Sequence, residues 1–156
     1  MRILELEKLF QTEDTLPQIL ESIQDDIQRI DEYSDMAKTN TYNNAESIVE
    51  ILQQLSGCFA NLRVVLALAE TEKKNREVRA FNEIRINFEN EAKTDDKGKL
   101  IKFTASLGEK EASAKIAPYR RIRNLIQGYK EACEKSISVM QSVLKDENKE
   151  YQHPQQ

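Results

Sequence analysis

Apolar residues recur along this chain at spacings of three, four and seven, the repeat of amphipathic helices that pack against one another. Leu16, Leu20, Ile23, Ile27, Ile30 and Ala37 form the first stripe, interrupted only at Ser34. Thr15 ahead of it, with Gln18 three residues on, predicts a capping box. Pro17 is tolerated there, because first-turn amides have no intrahelical acceptor. This is helix A, about residues 16–37, and an apolar face at Ile3, Leu6, Leu9 and Phe10 predicts a short helix before it. The segment 39–44 has turn chemistry and ends in a second cap, Asn43 with Glu46. Helix B follows over about 44–91, on the seam Ala45, Ile48, Leu52, Leu55, Phe59, Leu62, Leu66 and Ala69. Glu70, Lys73 and Glu77 then occupy seam positions before Ala80, Ile84 and Phe88 resume the stripe. No Gly or Pro interrupts 58–97, so the helix is expected to run through this polar turn.

Helix C spans about 106–148, opened by Ser106 with Glu109 as its capping box. Pro118 inside it predicts a kink or a restart. Beyond lies a stripe of Tyr119, Ile122, Ile126, Tyr129, Cys133, Met140 and Leu144, with Ile137 and Val143 alongside. A second reading of 84–105 competes with helix. It takes Ile84, Ile86 and Phe88 as a strand paired with Ile101, Phe103 and Ala105 across Asp95-Asp96-Lys97-Gly98.

The expected fold is therefore all-α: an antiparallel, coiled-coil-like three-helix bundle in one domain, 1–149, followed by a flexible polar tail, 150–156. Folding B and C back about residue 98 sets Phe88 near Gly108, Glu77 near Tyr119, Lys73 near Arg123 and Leu55 near Gln141. Helix A covers only half of B, so a two-helix arm, 78–118, projects. An arm of two helices buries little apolar surface, and is expected to pair with other subunits or to order on a ligand.

Composition narrows the function. Four glycines cannot supply the turns of a β-sandwich or a Gly-rich phosphate loop. No window approaches 18 uncharged apolar residues, and the first thirty residues lack an apolar leader core. A cytoplasmic protein without a membrane span is expected. Cys58 and Cys133 make neither a disulfide framework nor a zinc site, and both read as reduced, buried thiols. The only histidine, His153, stands near the end of the chain, leaving no base for a triad. Asp25, Asp26, Asp31, Glu32 and Asp35 lack the spacing and glycine of a calcium loop. A non-enzymatic protein with no catalytic residues, metal or cofactor is expected.

The net charge of −4 hides a gradient. Residues 1–62 hold 4 basic and 12 acidic side chains, whereas 93–156 hold 13 basic and 9 acidic. Nine cations fall within 93–123: Lys93, Lys97, Lys99, Lys102, Lys110, Lys115, Arg120, Arg121 and Arg123. With Phe103 among them and Phe81, Phe88 and Tyr119 nearby, they match what single-strand binding needs, cations along phosphates and aromatic faces for bases. The structural alternative has Arg120, Arg121 and Arg123 pairing with Glu70, Glu72 and Glu77 across the polar turn. A different class of function uses the acidic N-terminal helices, with Asp25, Asp26 and Glu32, as an adaptor or inhibitor surface for a host protein. A purely structural coiled-coil assembly is a third option.

Residues 104–112, Thr-Ala-Ser-Leu-Gly-Glu-Lys-Glu-Ala, lead into Tyr119 and on to 136–145, Ser-Ile-Ser-Val-Met-Gln-Ser-Val-Leu-Lys. This layout resembles small helical proteins that bacteriophages encode beside single-strand-binding and recombination genes. In layout more than in letters it is similar to the phage recombination-mediator family, over about 65–145. The resemblance implies a recombination or replication accessory factor that contacts single-stranded DNA through the arm cations. It also implies a homo-oligomer associating through Ile126, Tyr129, Ile137, Met140 and Leu144.

Overall fold

A computed structural model describes residues 3–39, 41, 44–91 and 94–152. Among them are six α-helices and one 3₁₀ turn: α1 (Ile3–Leu9), the 3₁₀ turn (Glu13–Thr15), α2 (Leu16–Ser22), α3 (Gln24–Thr39), α4 (Ala45–Glu91), α5 (Ala105–Lys115) and α6 (Ala117–Gln152). The chain is all-α, and no strand occurs among the described residues.

Helix A is two helices. Ile23 leaves helical geometry at φ −113°, ψ 12°, and its amide bonds back to the Leu20 carbonyl. Beside the break, the Ser22 hydroxyl donates to the Ile19 carbonyl at 2.6 Å, a local bond that competes with the helical ladder. Thr15 is not the expected cap either. Its backbone is already helical, and its hydroxyl donates to the carbonyls of Leu9 and Thr12, tying the end of α1 to the 3₁₀ turn. Pro17 does sit in the first turn of α2.

The expected cap at Asn43 lies outside the described residues. Next to it, Asn44 Oδ1 accepts from the Ser47 amide at 2.8 Å, a side-chain cap for α4. α4 then runs 47 residues, about 70 Å. Its buried face carries Ile48, Leu55, Leu62, Leu66 and Ala69 of the predicted seam and also Ile51, Cys58 and Val65, with Ala45, Leu52 and Phe59 half-buried. This face is wider than one seam because α4 packs against both α3 and α6. One 18-residue window of α4 has a mean hydropathy of 1.4 with at most two charged residues, and 33% of it is buried within the chain. By length and composition that helix is apolar enough to cross a membrane, although its window is not the uncharged stretch that the sequence reading excluded. A core helix packed between neighbours has the same character.

Helix C is also two helices. α5 is capped by Thr104, whose backbone is extended and whose hydroxyl oxygen accepts from the Leu107 amide at 3.3 Å. The expected cap, Ser106, is already inside the first turn. The break falls at Ile116, leaving Pro118 in the first turn of α6, where its missing amide costs no bond. The register departs from the uniform fold-back along α6. The Cys133 thiol donates to the Leu55 carbonyl at 3.2 Å, so Leu55 meets Cys133 where the uniform fold-back set Gln141.

The hairpin reading of 84–105 fails for its first arm: Ile84, Ile86 and Phe88 all belong to α4. Ile84 and Phe88 are buried there at helical spacing with Ala80, while Ile86 faces outward. Only the turn forms. A single bridge joins Thr94 to Leu100, and Gly98 adopts φ 73°, a left-handed conformation suited to glycine.

Two apolar clusters hold the helices together. The larger unites α1, α2, α3, α4 and α6, from Leu6 and Phe10 to Cys133 and Met140. Ser34, the one polar residue in the helix A stripe, lies across from Ser136, their hydroxyls 3.1 Å apart. The smaller cluster joins Ala80 and Ile84 of α4 to Ala112 of α5 and Ile116, with Phe81 and Phe103 packed on it. Between the clusters lies the polar turn, closed by Arg123 on Glu70 at 2.6 Å.

Candidate nucleic-acid interface

The segment between α4 and α5 is built around Asp95. Its Oδ1 accepts from the amides of Lys97 and Lys99, both at 2.9 Å, while its own amide donates to the Lys99 carbonyl at 2.8 Å. These bonds fix a tight turn that leaves the lysine side chains in water. Lys97, Lys99 and Lys102 are exposed, as is Lys110 on α5. None of the four lies within ion-pair distance of a carboxylate among the described residues. Between Lys99 and Lys102 stand Leu100 and Ile101, 64% and 42% exposed. Lys93 lies outside the described residues.

The other predicted cations are engaged elsewhere. Lys115 pairs with Glu83 at 3.7 Å and Arg123 with Glu70 at 2.6 Å. Arg120 binds the carbonyl and hydroxyl of Ser113, across the α5–α6 break. Of the three pairings expected with Glu70, Glu72 and Glu77, only Arg123–Glu70 forms among the described residues. Arg121 stays exposed and lines an apolar groove with Leu16, Leu20 and Leu125. The described cations thus divide into the exposed Lys97, Lys99, Lys102 and Lys110, the exposed Arg121 at the groove, and Lys115, Arg120 and Arg123, which are tied into the α4–α5–α6 junction.

Phe103 does not present its face. Its ring centroid is 5.7 Å from both Phe81 and Phe88, in edge-to-face contact with each. Gly108 makes room for this packing: a Cβ there would come within 2.5 Å of Phe103 Cζ and 2.7 Å of Phe81 Cε2. Phe88 is buried, while Phe81 and Phe103 are half-buried and pack on the small cluster.

The residues expected to join subunits are also used within the chain. Ile126 and Met140 are fully buried, and Tyr129, Ile137 and Leu144 pack against the same core. α2, α3 and α4 pack against α6, so this stripe faces the chain's own helices.

On α3, Asp25, Asp31, Glu32 and Asp35 are exposed. Asp26 accepts from the Asn61 amide group, and Asp35 pairs with Lys38 at 2.8 Å. The two thiols are buried and protonated, since burial pushes both up to about 11. No group of three His, Cys, Asp or Glu able to hold a metal occurs among the described residues.

Sequence reasoning passed over Arg76, the charged residue with the most structure around it. One Nη2 donates to the carbonyls of Phe10 and Gln11, and the guanidinium lies 4.4 Å from the Tyr119 ring centroid. The spacing held a signal. Ala69, Lys73, Arg76 and Ala80 continue the three-four repeat, which puts Arg76 on the seam. Comparison with protein-family models, with curated proteins and with solved structures finds no match to this chain.

Proposed function

We propose that this chain is a non-enzymatic accessory protein that holds single-stranded DNA, in the manner of phage recombination and replication factors. Its architecture is read as a three-helix bundle from which α5 and the distal part of α4 project as an arm. The observation that carries the reading is that Lys97, Lys99 and Lys102 at the turn of the arm, and Lys110 on α5, are exposed and free of carboxylate partners among the described residues. Four such cations neutralise phosphates and release counterions, a driving force indifferent to sequence. Leu100 and Ile101 offer apolar contact to unstacked bases, which a duplex does not expose. With no aromatic platform free, contact to phosphate carries most of the affinity, so binding is strongly salt-dependent and tolerant of base identity. Self-association, in this reading, uses surfaces other than the Ile126–Leu144 stripe.

Fluorescence anisotropy with a labelled single strand tests this. Lys97→Glu, Lys99→Glu and Lys102→Glu together should abolish binding at low salt, while Asp25→Lys with Glu32→Lys should not weaken it. Equal binding by the triple variant would refute the reading. So would preference for a duplex of the same length.

A further inference from the structure

A second feature lies away from the lysine turn. A cleft of about 330 Å³ opens where α4, the 3₁₀ turn and the α5–α6 junction meet, lined by Glu13, Arg76, Arg79, Glu83, Lys115 and Tyr119 among others. Three cations face two carboxylates there. One carboxylate, Glu83, is paired with Lys115 at 3.7 Å. Glu13 stays close enough to act on Tyr119 electrostatically, as does Glu72, yet neither hydrogen-bonds to its hydroxyl.

The polar atoms without partners decide what the cleft suits. Tyr119 is 3% exposed, and its hydroxyl is buried with no partner. Arg76 Nε is buried and unpartnered as well, although its Nη2 is committed to Phe10 and Gln11. An arginine Nε–H can only donate, and a tyrosine hydroxyl donates readily. Buried donors in folded proteins are nearly all matched by an acceptor. Two such donors, on residues that stack on one another and line one cleft beside Arg79, call for an acceptor that carries negative charge.

We infer that this cleft binds a small oxyanion, a phosphate or carboxylate group, accepting from the Tyr119 hydroxyl and Arg76 Nε–H with Arg79 supplying charge. The volume stands near the lower end for ligand sites, which suits a small anion and not a polymer. The site shares none of Lys97, Lys99, Lys102 and Lys110, so it stands or falls separately from the proposed DNA contact.

The test titrates the full chain with inorganic phosphate, and separately with malonate, at ionic strength held constant with chloride. Amide shifts of residues 76–80, 115–117, 119 and 120 provide the readout. At least one probe should saturate. Saturation by phosphate alone assigns a phosphate source, and by malonate alone a carboxylate source. Tyr119→Phe, which keeps the ring and removes the hydroxyl, should weaken binding about tenfold or more. Arg79→Gln, at an exposed position, should also weaken it and decides the matter if Tyr119→Phe loses its helical signal. The triple lysine-to-glutamate variant at the turn should bind the probe unchanged. The inference is overturned if neither probe saturates by about 10 mM, a generous limit for a weak site. Binding that survives both cleft substitutions, or that vanishes in the turn variant, overturns it equally.

Discussion

Replacing Arg76 by methionine keeps a long apolar stem but removes the guanidinium, and the structure specifies what is lost. Arg76 Nη2 donates to the carbonyls of Phe10, at 2.9 Å, and Gln11, the two residues that follow the last turn of α1. Hydrogen bonds from a charged donor contribute about 1.5–3 kcal/mol each. The bond to Gln11 is exposed and belongs at or below the low end, because water replaces the arginine there. Stacking on Tyr119 adds about 0.5–1 kcal/mol. Regained hydration of other groups offsets part of this, which leaves a loss of about 2–3 kcal/mol. The loss concerns the docking of α1, whose Leu6, with Phe10 just beyond the helix, fills the larger core. Hydrogen exchange read by mass spectrometry over residues 3–11 should therefore show protection falling about thirty- to a hundredfold, at 1.4 kcal/mol per tenfold. Arg76→Lys should rescue little, since a lysine is a point donor and not a planar fork. Arg85→Met serves as control: Arg85 is exposed and its pairing with Glu89, at 3.9 Å, is a surface contact of small value. Protection of α1 unchanged in Arg76→Met, or restored in full by Arg76→Lys, would refute the reasoning.

Other substitutions probe the remaining packing and chemistry. Gly108→Ala drives a methyl into the rings of Phe103 and Phe81; overpacking costs about 1–3 kcal/mol, against a helix-propensity gain of up to about 1, so exchange in α5 should accelerate while α1 and α6 are unaffected. The thiols of Cys58 and Cys133, pushed up to about 11 by burial from an ordinary 9.0, stabilise the fold below pH 9. That contribution is lost as pH rises from 9 through about 11, so denaturation midpoints should fall over this window, and more shallowly in a Cys58→Ala, Cys133→Ala double variant. Native protein at pH 8 should react with a thiol reagent only as fast as it unfolds. Ser34→Ala or Ser136→Ala alone should destabilise by about 0.5–1.5 kcal/mol, and the double change by less than the two singles combined, in a double-mutant denaturation cycle.

Much of the fold was legible because burial and helical period coincide in this sequence. The long α4 followed from an unbroken three-four stripe without Gly or Pro, and Pro118 announced the restart near Ile116. Other features turned on competition between near-equal local bonds. Ser22 and Thr15 donate to carbonyls where a helix or cap was expected, and Thr104 caps α5 where Ser106 also fits the pattern. The strand reading of 84–88 read an alternation, but burial at 80, 84 and 88 follows the helix. At the interface, a sequence lists cations without their partners. Lys102 and Arg123 look equivalent as letters, yet one is exposed at the turn and the other is bound to Glu70. Phe103 reads equally as a stacking face or a core ring, and only the neighbouring Gly108 and Phe81 distinguish the two.

The salt dependence of single-strand binding tests the central claim most directly. With Lys97, Lys99, Lys102 and, on α5, Lys110 each neutralising one phosphate, the logarithm of affinity should fall with the logarithm of salt at a slope of about −3. That corresponds to about a fiftyfold loss between 50 and 200 mM, and each Lys→Gln at 97, 99, 102 or 110 should reduce the slope by about 0.7. A slope near zero, or one unchanged when those lysines are neutralised, would contradict the account.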